Sequence, residues 1–448
     1  MQSPAAAVMS APMEAHMSSR PTIASIADFV DQEVTLNGWL YNIRGSGKIA
    51  FPQLRDGTGI IQCVAKKAIL GDESFEELRH LGQESSLSIT GTIHADERAQ
   101  GGFEMQVTGV QVHQYVSGYP ISPKEHGPAF LHDHRHLWMR SKKQHAILKI
   151  RHLCVRAIRD YFDNRDFLLL DSPIFTPNAC EGTSTLFETE YFGQPAYLSQ
   201  SGQLYQEAGA MAFGKTYCFG PTFRAEKSST RRHLTEFWMV EPEVAYAELD
   251  EIMDIAEDFL VEVVKSVLDN GGRQHLEVLE RDIGPLENVQ KPFPRISYDE
   301  ACERLNDLGE SIDPEDDFGS PHETALTQSV DRPIMIHRYP TAVKAFYMKE
   351  DPTNAARALC VDVLAPEGYG EIIGGAQRED SEEVLLNKID GHGLDRADFE
   401  WFLDLRRYGS VPHGGFGLGL ERLVCWICGI RHIRETVPFP RMIDRLTP

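Results

Sequence analysis

The sequence predicts an α+β protein of two folded parts: an N-terminal OB-fold β-barrel, then a larger domain built on an antiparallel sheet flanked by helices. Three observations carry this. The chain has 448 residues, beyond the size at which one core usually keeps growing. Between about residues 22 and 115 lie five short β-like runs with one helical stretch midway, the pattern of an OB-type barrel. After residue 141, strongly amphipathic helical patterns alternate with aromatic and β-branched runs.

Composition narrows the class. Hydrophobic residues make up 42% and charged residues 25%, ordinary values for a globular protein. No apolar run reaches membrane-spanning length, so no membrane partner is expected. The formal charge of -23 argues against nonspecific coating of nucleic acid, which needs Lys and Arg to neutralise phosphates. A locally basic, specific contact remains open. Eight cysteines are scattered among mostly apolar neighbours, and the first residues lack the basic and apolar regions of a signal peptide. These features predict reduced thiols and a cytoplasmic location. Cys425 and Cys428 form a lone CxxC inside an apolar helical run, which reads as buried core before it reads as zinc.

Taken in order, residues 1–20 are rich in Ala, Met, Ser and Pro without a sustained pattern, and a disordered leader is expected. Residues 21–116 form the barrel. Its strands are predicted at Glu33–Tyr41, Ile49–Leu54, Gly59–Val64, Ser86–Ile93 and Phe103–Val112, with a helix at Asp72–Leu81. Such barrels bind single-stranded nucleic acid on exposed aromatics, which makes Phe51 and Gln62 candidates. The residues alone favour barrel core for Phe51. Residues 117–140, with Gly118, Pro120, Pro123, Gly127 and Pro128, read as a linker. Its His132-Asp-His-Arg-His136 row suits a hydrogen-bonded, docked segment better than a metal site.

Residues 141–448 form the second domain. A helix starts at Ser141, and the extended run Phe167–Pro177 suits a sheet edge; together they could form a dimer interface. A second amphipathic helix spans Glu248–Leu268. Pro333–His337, Lys344–Met348, Ala358–Leu364 and Glu371–Arg378 read as strands of one largely antiparallel sheet. Finally, Gly414–Val424 passes from glycines into an apolar helix, and those glycines allow a ligand close to the backbone.

The most informative stretch is Gly220–Glu243, two β-prone segments joined by a polar, cationic loop. Arg224, Arg231, Arg232 and His233 supply several donors for a polyphosphate, and Phe237 or Trp238 a flat face for a base. Taken alone, a solvated hairpin explains the stretch equally well.

Three ordered stretches resolve this. The strand ending at Pro173, the Phe223-Arg-Ala-Glu226 hairpin with Arg232-His-Leu-Thr-Glu-Phe237, and Gly417-Leu-Gly-Leu-Glu-Arg422 resemble motifs 1, 2 and 3 of the class II aminoacyl-tRNA synthetases. With the preceding barrel, the chain is similar to the aspartyl/asparaginyl/lysyl subgroup from about residue 22 to the end. It looks most like the asparaginyl members of bacterial type. Where aspartyl members resemble Gln-Ser-Pro-Gln-Leu-Tyr-Lys-Gln, with the lysine pairing the substrate carboxylate, this chain has Gln206. Losing that cation disfavours aspartate.

The resemblance implies that L-asparagine and ATP give an adenylate, and that the amino acid then passes to tRNA(Asn). It implies a homodimer and Mg2+. It assigns catalysis to Arg224, Arg422 and Glu371, and ATP binding to Arg224, Arg232, His233, Glu236, Phe237 and Arg422. Amino-acid binding falls to Glu181, Ser201, Gln203, Gln206, Glu226 and Arg378, with Glu226 and Arg378 on the carboxamide. Asp362 and Glu371 are the metal carboxylates; the serine that is the third aspartyl-type ligand is Gly374 here. In the barrel, Phe51 and Gln62 would bind the central anticodon uridine, which reverses the core assignment of Phe51.

Overall fold

The computed structural model describes residues 20–99, 101–122, 124–177, 185–228 and 230–448. The chain forms two compact units that divide after His126. Most of the expected leader lies outside the described residues.

The first unit is a closed barrel of β1 (Glu33–Ser46), β2 (Ile49–Arg55), β3 (Ile60–Lys66), β4 (Ser86–Ala95) and β5 (Phe103–Gln114), in the order β1-β2-β3-β5-β4. All five expected strands form. β1 runs further than predicted, through Arg44-Gly-Ser46, and ends in a tight turn at Gly47, whose φ of +62 suits glycine. The helix Lys67–Arg79 follows β3 and buries Phe75 and Leu78 with Leu36, Leu54, Cys63, Ile89 and Met105. Alternation along β2 sends Ala50, Pro52 and Leu54 inward and leaves Phe51, Gln53 and Arg55 on the outer face.

The second unit is built on an eight-stranded sheet whose order is β12-β13-β16-β17-β18-β11-β10-β6. Its strands are β6 (Leu168–Leu169), β10 (Lys215–Phe223), β11 (Glu236–Ala245), β12 (Arg295–Ser297), β13 (Ile334–His337), β16 (Cys360–Ala365), β17 (Gly370–Gln377) and β18 (His413–Gly419). The central pairings are antiparallel, and the end pairs β12–β13 and β10–β6 are parallel. A small sheet holds β7 (Phe175–Thr176), β9 (Gln194–Leu198) and β8 (Glu188–Tyr191), and a two-stranded ribbon holds β14 (Glu350–Asp351) and β15 (Asn354–Ala358).

Two long helices, Lys142–Asp163 and Leu249–Val267, share the principal core with the sheet. Ser141 caps the first by accepting a hydrogen bond from the Gln144 amide. Phe162 and Tyr161 each meet Phe259 at 5.1 Å between ring centres. The helix Leu420–Cys428 adds Trp426, Cys425 and Cys428 to that core, so the CxxC is buried packing. Among the described residues no helix is long and apolar enough to cross a membrane.

Two readings change. Lys344–Met348 is not a strand: it is a bend and turn after a 3-10 helix at Thr341–Val343, with a single isolated bridge from Met348 to Arg378. Its apolar residues leave the sheet because Phe346 and Tyr347 pack with Leu204, Phe399 and Phe402 in a separate cluster. The segment read as linker holds two short helices, Pro128–Asp133 and Arg135–Trp138. Fully buried Arg135 donates to the carbonyls of Glu435, Val437 and Pro438 and to Gln144, tying this segment to the C-terminal strap.

Phe259→Ala should empty the centre of the aromatic packing between the two long helices. A loss of about 3–5 kcal/mol is expected, measurable as a lowered urea midpoint for the second unit.

Candidate active site

The hairpin β10–β11 pairs Phe223 with Glu236 at its loop end, and β18, β17 and β16 continue the floor beside β11. Strand parity decides what faces the cleft. Phe237, Met239, Glu241 and Glu243 line cavities on one side of β11, while Val240 and Val244 enter the core on the other. Two cavities adjoin and share Arg224, Met239, Glu371 and Gly417. One is narrow and rich in arginine; the other encloses about 440 Å³ and is lined by carboxylates and amphipathic side chains.

The narrow cavity brings together Arg224, Arg232, His233, Phe237, Glu371 and Arg422. Arg224 lies 5.4 Å over the Phe237 ring. Arg422, in the first turn of its helix, donates to the Glu371 carboxylate at 2.8 Å and to the Glu371 carbonyl at 2.9 Å. Burial, then the nearby Arg422 and Arg224, lowers the pKa of His233, with Glu226 opposing. Those effects favour the neutral imidazole. Flat aromatic, guanidinium forks and an imidazole on one wall make a receptor for a base and its phosphates.

Asp362 on β16 pairs in register with Gly374 on β17, three residues beyond Glu371. A Cβ placed at Gly374 would stand 3.0 Å from Glu371 Oε1 and 3.6 Å from Asp362 Oδ1, so both carboxylates converge over bare backbone. Burial pushes Asp362 up to about 7; Lys344, at 3.1 Å, pulls the other way, and Glu371 and Asp317 add to the rise. Burial also raises Glu371, but Arg422, Lys344 and Arg224 hold it below the usual carboxylate range. Two converging hard-oxygen donors fit a divalent cation.

The wider cavity holds Ser201, Gln203, Glu241, Glu243, Lys344 and Arg378. Glu241 accepts from the Ser201 hydroxyl and from the Gly202 amide at 2.9 Å. Arg378 grips Glu243 with Nε and Nη2, each at 2.9 Å. Beside it, Glu207 accepts from Gln203 at 3.1 Å and Arg406 at 2.5 Å, with His413 at 2.9 Å. Glu207, Glu243 and His413 present ligand atoms within 4.8 Å of one another. Arg378 and Arg406 already neutralise the carboxylates, so this is a buried ion-pair network with no charge left for a metal.

Ten of the expected catalytic-unit residues therefore gather on one floor: Ser201, Gln203, Arg224, Arg232, His233, Phe237, Asp362, Glu371, Arg378 and Arg422. Three stand elsewhere. Gln206 lines neither cavity; its amide nitrogen donates to Leu170 at 2.7 Å and Ser172 at 3.1 Å. Glu236 has the opposite parity to Phe237, and both it and Glu226 line an outer groove with Lys227 and Arg441. Glu181 lies outside the described residues. Sequence reading missed Glu241 and Glu243, though continuing the alternation from Phe237 finds them. It also missed Lys344, Glu207, Glu323 and Arg406, whose partners are distant in sequence.

On the barrel, Gln53 faces Gln62 across β2–β3. Phe51 and Gln62 are half-buried on the outer face and Phe51 is not part of the core. Close by, Arg55 stacks 4.9 Å from the Trp39 ring and pairs with Glu84 at 2.7 Å. Aromatic and amide groups on one outward face suit an unstacked base.

A family described as class II tRNA synthetases (D, K and N) matches residues 128–443, and one described as an OB-fold nucleic acid binding domain matches residues 34–112. The chain is 58% identical over 447 residues to an asparagine–tRNA ligase of Sorangium cellulosum, covering 96% of this chain and 100% of that protein. It is 57% identical to one from Koribacter versatilis, covering 95% and 98%. Its fold is similar to the crystal structure of asparaginyl-tRNA synthetase from Pyrococcus horikoshii with asparaginyl-adenylate: TM-score 0.93, 45% identity, 96% and 100% coverage. The Entamoeba histolytica enzyme with the same adenylate gives a TM-score of 0.85 at 32% identity, covering 93% and 97%.

Arg406 and His413 hold Glu207 down to about 2 against the effect of burial, which pushes it up. Its folded pKa lies below the ordinary value, so its stabilisation is present above about pH 4.5 and is lost as pH falls toward about 2. Glu207→Gln should cost about 3 kcal/mol at pH 7, with the deficit shrinking in urea titrations below pH 4.

Proposed function

Because the chain belongs to the class II tRNA synthetases of the D, K and N group, we propose that it joins L-asparagine to tRNA(Asn). ATP and asparagine give asparaginyl-adenylate and diphosphate; the terminal adenosine hydroxyl of the tRNA then takes the asparaginyl group and releases AMP. The observation that carries this reading is the pair of cavities meeting at Arg224 and Glu371, one suited to a nucleotide and the other to a small polar amino acid.

Adenylate formation is an in-line displacement at the α-phosphate, so positioning and charge neutralisation dominate. Arg224 stands at the junction, where it can bridge the amino-acid carboxylate and the α-phosphate. Phe237 offers the adenine face, and Arg422 and His233 meet the outer phosphates. Asp362 and Glu371 would hold a divalent cation, for which we take Mg2+; bound there, it neutralises phosphate charge. Ser201, Gln203 and Glu241 make an electronegative corner for the ammonium group.

At the side-chain end, Arg378 has two of its donor positions on Glu243, leaving Nη1 to donate to the carboxamide oxygen. Lys344 is paired with Asp362. A substrate aspartate would bring a second carboxylate to cations that are already matched, which favours the neutral amide. For Glu226 to accept from the carboxamide nitrogen, the Ala225–Ser228 segment would have to turn inward on binding. Leu168, Ile174 and Phe175 are 43–50% exposed, and this apolar edge supports a homodimer through the helix Lys142–Asp163 and the strand after it. The proposed setting is the cytoplasm, on the translation machinery's tRNA.

Asparagine should support ATP–diphosphate exchange and aspartate should not; exchange with aspartate alone would overturn the assignment. Phe51→Ala should lower charging of tRNA(Asn) about tenfold or more while leaving exchange unchanged, since no step of adenylate formation involves the barrel.

A further inference from the structure

We infer that Glu323 is a positioning residue for adenylate formation: with Arg232 and Gly370 it latches the nucleotide-binding loop to the strand that carries the cation carboxylate Glu371. This rests on the function proposed above.

Arg232 lies in the loop between β10 and β11, where a phosphate ligand was expected, yet its guanidinium is largely engaged. Nη1 donates to Glu323 Oε2 at 2.7 Å, and Nη2 donates to Thr324 Oγ1 at 3.1 Å and to the Gly368 carbonyl at 2.6 Å. The same Glu323 oxygen accepts the Glu371 backbone amide at 3.1 Å. One carboxylate oxygen thus joins three segments: the loop, the helix Ser320–Thr327 and the start of β17. The next link outward is Glu371 itself, whose carboxylate takes Arg422.

The junction has no spare room. Gly370 sits at φ +75, and a Cβ there would overlap Glu323 Oε2 and Arg232 Nη1. Glycine supplies both the backbone conformation and the space. The side chains of Arg232 and Glu323 are only 11% and 15% exposed, so the pair is shielded in a way that surface ion pairs are not. Burial and the neighbouring Glu371 raise the pKa of Glu323, and Arg422 and Arg232 oppose them. Removing either partner leaves the other buried and unmatched. Arg232 in this arrangement acts on ATP by holding His233 and the loop against Arg422, not by giving its own donors to phosphate.

The test uses the full chain in asparagine-dependent ATP–diphosphate exchange, with KM and kcat for ATP and for asparagine measured separately. Glu323→Gln, Arg232→Met and the double variant are compared, together with Gly370→Ala, which pries the junction open without touching either charge. Each single variant should lower kcat/KM for ATP about tenfold, with a smaller change in the asparagine KM. The double variant should be no more than about twofold worse than the poorer single variant, because the two residues act as one unit. An unchanged ATP KM in Glu323→Gln with a raised one in Arg232→Met would make Arg232 a direct phosphate ligand and overturn the latch. Multiplying losses in the double variant would do the same. If Glu323→Gln does not fold, Gly370→Ala decides alone, and normal ATP kinetics there overturn the proposal. If wild type shows no asparagine-dependent exchange, the proposed function fails, and the latch is read instead from ATP binding by calorimetry in wild type and variants.

Discussion

A buried charge must be matched, and the cleft is organised by that demand. Removing an ion from water costs several kcal/mol unless a partner and hydrogen bonds replace the solvent. Here the matches are Arg232 with Glu323, Lys344 with Asp362, Arg378 with Glu243 and Arg406 with Glu207, and, with about a third of each side chain exposed, Arg422 with Glu371. Each pair joins segments far apart in the chain, so each fixes the relative position of two elements as well as a charge. At these pairs a charged substrate must compete for or supplement existing partners. On the proposed function, a phosphate accepted by Arg422 would compete with Glu371 for the same guanidinium.

Much of the architecture was legible because it rests on local rules. The five barrel strands follow from β-prone runs between glycine turns, and the two long helices from their apolar stripes. The hairpin and the glycine-rich strand leading to the last helix carry a strong family pattern. One reading fails for a specific cause: Lys344–Met348 has strand-like composition, but Phe346 and Tyr347 serve a cluster off the sheet. Glu236 was assigned through the family resemblance, and alternation along β11 sets it beside Glu226 in the outer groove. Gln206 differs informatively from lysine at its position; its amide nitrogen is committed to Leu170 and Ser172, and it lines neither cavity.

Three of the residues that sequence reading missed share one property. Glu207, Glu323 and Arg406 sit on helices, where a charged side chain ordinarily implies a solvated face. Their burial is created by partners 91 to 199 positions away, and nothing in the local pattern signals it. Glu241 and Glu243 are different: they lie two and four residues beyond Met239 on a strand whose parity was available. The distinction is between information stored in periodicity, which one segment carries by itself, and information stored in tertiary pairing.

The parity of β11 has an evolutionary reach. Its odd-numbered residues compose the chemistry of the cleft, and its even-numbered residues Val240 and Val244 belong to the hydrophobic interior. Substitutions can therefore accumulate on one side under selection for ligand and on the other under selection for folding, with little interference between them. What the strand cannot absorb is a one-residue insertion or deletion, which would exchange the two sides at once, sending carboxylates into the core and valines into the substrate cavity. Length, more than identity, is the conserved quantity such a strand should display.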